Sequence, residues 1–330
     1  MSLIKKLSII FVLALLPAIA SADAADSKLL AEGHVDDAIA SLQRKIGNSP
    51  NDAASFNLLC RAHYSLSDWD KSVSECEKAV ALDPGNAQYH LWLGRSYGEK
   101  AERSGLLTAV RLAKKVRNEF ETAVQLNPND VEARVDLAEF YMEAPAIMGG
   151  GRDKAEAQAQ QLAYADPVKA GWLKGRLAEK YKDQVSAENE YRAAIQASHG
   201  AAGAWLNLAS FYRRASSFDA MENAIAHASS APMNQPQVLI ECAQMLLRSN
   251  RNIPEATELL RRYLASSSTV EAAPAFQAHY LLGTALEQQG NKPAAALEYR
   301  ASLSMARSFT LAQSALDRLN NQVAAVVNAN

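Results

Sequence analysis

The chain has 330 residues, 34 lysines and arginines against 36 aspartates and glutamates, a formal net charge of −2 and a 48% hydrophobic share. So even a balance excludes the basic footprint of a nucleic-acid-binding protein and gives no sign of a polybasic membrane patch. The length would allow two globular domains, and what argues against two is a periodicity that runs through nearly the whole chain.

The first residues read as an export signal. Lys5 and Lys6 precede an apolar run from Leu7 to Leu16, and Ala20, Ser21 and Ala22 form a small-x-small cleavage signature, so residues 1–22 are expected to be a signal peptide. The run is short for a membrane span and no cysteine follows it to accept a lipid. The mature chain is therefore expected to start near Asp23, periplasmic or secreted, soluble and without stable membrane insertion. Its formal charge becomes −4, because the leader takes away two lysines and no acid.

Beyond it, Ala38, Leu42 and Pro50 form half a unit, and Pro84 follows Pro50 by 34 residues, with Pro128 and Pro167 continuing the series. Phe56, Leu59, Cys60 and His63 mark a first helix, and Ser72, Cys76 and Ala79 a second. His90, Leu93, Gly94 and Tyr97 are followed by Val116, Phe120 and Ala123. Then come Leu137, Ala138 and Tyr141 with Ala155 and Ala159, and Gly175 with Ala187, Tyr191 and Ala194. Trp205, Leu208, Ala209 and Tyr212 precede Ile225 and Ala228; Leu239, Ala243 and Leu246 precede Ala256 and Leu260. In the last unit Gly283 interrupts a helical run, at a cost of roughly 1 kcal/mol relative to alanine. Ala295 lies twelve residues on, so the spacing predicts two minimal side chains facing each other across a helical hairpin. A final helix is expected around Leu311, Ala315, Leu316 and Leu319.

This pattern resembles the tetratricopeptide repeat, in which an aromatic, Leu-Gly, Tyr, Ala, Phe and a closing Pro recur over 34 residues. The resemblance implies an all-α fold, a right-handed superhelical solenoid of stacked antiparallel helix pairs. Residues 23–330 are then one domain of about seven full repeats, with the N-terminal half repeat and the C-terminal helix as caps.

Two units are too long: Pro84 to Pro128 spans 44 residues and Pro128 to Pro167 spans 39, and both insertions fall between the helices of their unit. In the first, Arg111, Lys114, Lys115 and Arg117 crowd beside Leu107, Val110 and Val116, either as the solvated face of an elongated second helix or as a docking ridge for an acidic partner. In the second, Pro145 stops a helix, and Gly149, Gly150 and Gly151 lead through Arg152 into a helix begun by Asp153. That is a plain connection or, with Arg152 and Lys154 nearby, an anion-holding loop, although the spacing is not that of a nucleotide phosphate loop. Together the insertions are similar to those of exported bacterial repeat proteins, including periplasmic components of TRAP-type transport systems. That similarity implies a binding scaffold in an envelope compartment and fixes no substrate.

No catalytic, metal or cofactor motif accompanies the repeats. The six histidines are scattered over different units, and His-Glu-x-x-His, Gly-x-Ser-x-Gly and Walker sequences are absent. The expectation is thus no enzyme and no cofactor, but an exported scaffold holding a protein or peptide partner in its concave groove. The alternative is a ligand-binding accessory protein of a periplasmic transport system. In the repeat family the groove is made by the first helix of each unit, which here implies Arg61, Tyr64, Arg95, Glu139, Met142, Trp172, Arg176 and Tyr280, with Glu99 beside Arg95. Arg61, Arg95 and Arg176 recur at one structural position and either grip carboxylates of a partner or pair with acids such as Glu99 and Glu139. Cys60 and Cys76 stand nearly opposite but about a turn out of register, so that a bridge and two small core residues both stay open; Cys242 is expected to be a buried free thiol.

Overall fold

Short polar side chains cap seven of the seventeen α-helices among the described residues. Asp52, Asp68, Asn86, Asp130, Asp166, Asp183 and Asn291 each accept a backbone N–H from the first turn that follows, which satisfies a donor the helix itself leaves open. The structure, a computed structural model, describes residues 18–232, 235–266 and 269–329. The expected signal peptide lies outside the described residues except for the backbone of 18–22.

Seven antiparallel pairs follow one another: α3 (Ala53–Ser65) with α4 (Trp69–Leu82), α5 (Ala87–Glu102) with α6 (Leu106–Leu126), α7 (Val131–Glu143) with α8 (Arg152–Leu162), and α9 (Pro167–Lys180) with α10 (Gln184–Ala197). Then come α11 (Ala202–Arg214) with α12 (Phe218–Ser230), α13 (Gln237–Arg248) with α14 (Ile253–Ala265), and α15 (Ala275–Gln288) with α16 (Lys292–Met305). The unit expected as half a repeat is a whole pair, because α1 (Ala18–Glu32) packs on α2 (Val35–Asn48) and buries Leu30. A last helix, α17 (Thr310–Ala329), closes the series, and the described residues contain no strand beyond one isolated bridge between Val270 and Ala273.

The contact inside each pair differs from the one the spacing suggested. A Cβ on Gly283 would meet the ring of Tyr299 at 2.5 Å, one on Gly94 would meet Phe120 at 2.5 Å, and one on Gly175 would meet Tyr191 at 2.5 Å. The small residue leaves room for an aromatic ring sixteen positions on, or twenty-six across the first insertion, rather than facing the alanine twelve positions on. Cys60 and Cys76 occupy these same two places and are joined by a disulfide, their Cα atoms 5.2 Å apart. They are therefore in register, and the bridge stands where the other pairs put a glycine against a ring. Cys242 is unpaired and buried.

In five of the seven hairpins a residue in the left-handed region follows directly behind the first helix: Ser67, Lys182, Ser216, Asn250 and Gly290, with φ of 62°, 63°, 57°, 49° and 81°. The next amide in each case bonds back to the carbonyl five residues earlier, as Asp68 N does to His63 O at 2.9 Å and Asn291 N to Leu286 O at 2.9 Å, the pattern that ends a helix tightly. The α5–α6 hairpin lacks this turn, and α7–α8 makes it only after the short 3-10 turn Ala146–Met148, where Gly149 at φ 95° is followed by the Gly150 N bond to Pro145 O; these are the two that carry the insertions.

The two ends do not face solvent as separate caps. Leu30, Val35, Leu42, Leu58, Leu59 and Leu66 share one buried cluster with Phe276, Phe309 and Ala312. Gly33, at φ +84°, sits so close to α15 that a Cβ there would be 2.8 Å from Ala275 N. Arg61 pairs with Glu271, Gln277 donates to Ser65 O at 3.1 Å, and Arg307 Nε donates to Asp36 Oδ2 at 2.9 Å. The array closes on itself because an apolar patch on the first pairs meets an apolar patch on the last. Burial of those side chains outweighs the modest cost of ordering two chain ends.

Candidate functional site

The first helices of neighbouring pairs touch one another: α3 meets α5, α7 meets α9, α9 meets α11, α11 meets α13 and α13 meets α15. They form the inner layer, so every side chain pointing away from the second helices points into the groove. The three arginines expected there are already engaged. Arg61 is held by Glu271; Arg95 Nε donates to Asp136 at 2.5 Å and its Nη2 to Glu132 at 3.2 Å; Arg176 Nη2 donates to Glu143 at 3.1 Å. The guanidiniums of Arg61 and Arg95 flank Trp92, 5.2 and 5.0 Å from its ring centroid. Tyr64 leans on Trp69 and Trp92 and donates to Glu99 at 3.4 Å. With Trp92 between them and acids around them, these arginines build the wall.

Further along, the groove widens into a cavity of about 460 Å³ between α7, α9, α11 and α13. Its lining holds five carboxylates, those of Glu132, Asp136, Glu139, Asp166 and Glu241, against one lysine, Lys169, which lies 3.5 Å from Glu132. Asp166 is committed to capping α9 and Asp136 to Arg95. Among the described residues Glu139 and Glu241 have neither hydrogen bond nor ion pair. Burial, reinforced by Asp136, pushes the Glu139 carboxyl up to about 7, and burial raises Glu241 against the pull of Lys169. The indole of Trp172 forms part of the wall, with the amides of Asn207, Gln235 and Gln237. Unpaired carboxyls beside an aromatic face suit an ammonium or guanidinium group, which neutralises the acids and lies against the ring.

Met142 is buried in the core rather than lining the groove. Tyr280 lines a separate space of about 450 Å³ at the closure, with Ser67, Leu247, Leu281 and Phe309. The basic ridge divides: Lys115 donates to Tyr97 at 2.9 Å and Arg117 to Met148 O at 3.3 Å, whereas Arg111 and Lys114 are exposed with no partner among the described residues. The glycine loop offers no glycine amide to an anion. Gly149 N, Gly150 N and Gly151 N donate to Ala146 O, Pro145 O and Tyr141 O, and Arg152 turns to Glu156 and the ring of Tyr181. It is a connection that braces α6 through Arg117.

Residues 27–87 and 245–308 match the tetratricopeptide repeat family. Those two stretches carry tetratricopeptide repeats. Those stretches are the two ends that pack together, and the repeats between them have the same pair geometry. No curated protein matches the sequence. Among solved structures, yeast Tom70 is similar at 16% identity with a TM-score of 0.52 over 87% of this chain; the match spans 59% of Tom70. TTC0263, a thermophilic protein of the same repeat class from Thermus thermophilus, has 20% identity and a TM-score of 0.49, covering 59% of this chain and 98% of its own. At such an identity the likeness to Tom70 speaks for the fold alone.

Among the groove residues that escaped the sequence reading, Trp92, Asp136, Asn207 and Glu241 share one place. Each lies two positions before the small residue of its repeat, Gly94, Ala138, Ala209 and Ala243. Counting backwards from that residue as well as forwards would have found them.

Proposed function

We propose that the mature chain is an exported scaffold whose acidic inner groove holds a cationic segment of a protein partner. Tetratricopeptide repeats bind proteins as a class, and the observation that carries the finer reading is the pair of unpartnered carboxyls, Glu139 and Glu241, in one cavity with Trp172. Lysine or arginine side chains on an extended segment supply the charge the cavity lacks. Support for export comes from the leader-like residues 1–22 and from the Cys60–Cys76 disulfide, which belongs in an oxidising compartment. An accessory protein carrying a small apolar ligand would need an apolar chamber, and the lining here is acidic.

Affinity capture from the native envelope tests the proposal. Wild-type protein is expected to retain a partner that a Glu139→Gln, Glu241→Gln double variant and a Trp172→Ala variant both lose, with helical content unchanged. Equal recovery by all three would remove the cavity from the mechanism.

A further inference from the structure

The even charge of the whole chain hides a local excess. Residues 99–117 hold six cations (Lys100, Arg103, Arg111, Lys114, Lys115, Arg117) and two acids (Glu99, Glu102), a net +4 inside a chain of net −2. Those residues make up the α5–α6 tip. In α4, α10 and α16 the helix begins seven residues before its contact residue, as in Trp69 to Cys76, Gln184 to Tyr191 and Lys292 to Tyr299; in α6 it begins fourteen before, Leu106 to Phe120. Seven added residues are two turns, about 10 Å of helix standing beyond the edge of the array. The second insertion braces α6 just behind this projection, through the Arg117 bond to Met148 O.

At the end of the projection Leu106 and Leu107 are 78% and 88% exposed. Arg111 and Lys114 follow four and seven residues after Leu107, on the same face of the helix and unpaired among the described residues. Ile147, on the turn that supports α6, is 89% exposed. A protruding point offers no concavity to receive a partner's side chains. Its order is apolar first, then cations about 6 and 10 Å behind. That order fits an interface in which hydrocarbon lies beneath a layer of phosphates, where an apolar face sinks about 5–10 Å and lysine or arginine meets the headgroups.

We infer that the α6 tip docks the protein, reversibly and end-on, against an anionic phospholipid surface. An acidic protein would satisfy Arg111 and Lys114 but leave the two leucines in water. Glu102, the unpaired acid of the tip among the described residues, lies on α5 before the turn, off the face that carries Leu107, Arg111 and Lys114.

Co-sedimentation with vesicles decides between the two surfaces, using the full chain as purified from its host. Vesicles with about a third phosphatidylglycerol are expected to bind the protein and pure phosphatidylcholine vesicles are not. The Leu106→Ser, Leu107→Ser variant and the Arg111→Gln, Lys114→Gln variant are each expected to bind tenfold or more weakly, with unchanged thermal melts because all four side chains are solvent-facing. Variants that bind as wild type does would overturn the inference. So would binding of polyglutamate, weakened by the arginine and lysine changes, without binding of either vesicle; that outcome assigns the tip to an acidic protein.

Discussion

At residue scale the repeat is organised by one contact, a small side chain on the first helix against a ring on the second. Tyr299 is fully buried, its hydroxyl donating to Glu287 at 2.8 Å, and a Cβ on Gly283 would lie 2.5 Å from it. Alanine there gains about 1 kcal/mol of helix propensity but overpacks a filled site. Gly283→Ala is therefore expected to destabilise by about 1–2 kcal/mol in urea unfolding, and a stabilised variant would contradict the packing. The glycine was legible in the sequence as a packing position. Its partner was not, because spacing alone does not say where two helices cross. The same error made Cys60 and Cys76 look out of register. Unreduced, denatured protein is expected to show one free thiol, that of Cys242; in the folded chain burial keeps that thiol neutral, its pKa pushed up to about 12. Replacing both bridged cysteines by alanine should cost roughly 3 kcal/mol, the loop-closure term for a span of this size.

Elements are set by how each hairpin turns. Ser67, Lys182, Ser216 and Asn250 hold a left-handed conformation that glycine takes without strain. Only Gly290 announces such a turn in the sequence, so the other four were legible as breaks between helices and not as this geometry. Ser216 is exposed at φ 57°, and Ser216→Gly is expected to raise stability by about 0.5–1 kcal/mol after the entropy glycine adds to the unfolded chain. A loss would mean that Ser216 makes a contact its exposure does not suggest. In α5–α6, where the tight turn is missing, the helices run on, to 16 and 21 residues. The lengths Pro84 to Pro128 and Pro128 to Pro167 located both insertions correctly, and the first was legible as an elongated second helix, the 21-residue α6; how far it stands out depends on where Phe120 packs, which spacing does not reveal.

The whole molecule turns an array of local pairs into a closed arrangement, and closure was the feature least legible beforehand. Arg61 and Glu271 lie 210 residues apart, and nothing in a 34-residue period states which surfaces meet after seven repeats. The acidity of the groove was hidden for a related reason. Its arginines recur visibly and Glu139, one of the two acids left over, was legible as a groove residue, but the acids that occupy the arginines come from other repeats, and Asp136 and Glu241 stand at the position two before the small residue.

Those leftover acids give the groove a pH signature. With Glu139 raised to about 7, the folded protein binds a proton more tightly there than the unfolded chain does. Its ionisation therefore costs stability as pH rises from the ordinary carboxylate range through about 7, and a bound cation offsets that cost. Calorimetric titration with an unstructured tetra-arginine peptide at pH 6 and pH 8 is the most direct measurement. The account predicts binding about tenfold tighter at pH 8, where Glu139 is mostly ionised, than at pH 6, where it is mostly protonated, with that dependence flattened in Glu139→Gln. No binding at either pH, or an affinity equal at both and untouched by the substitution, would contradict it.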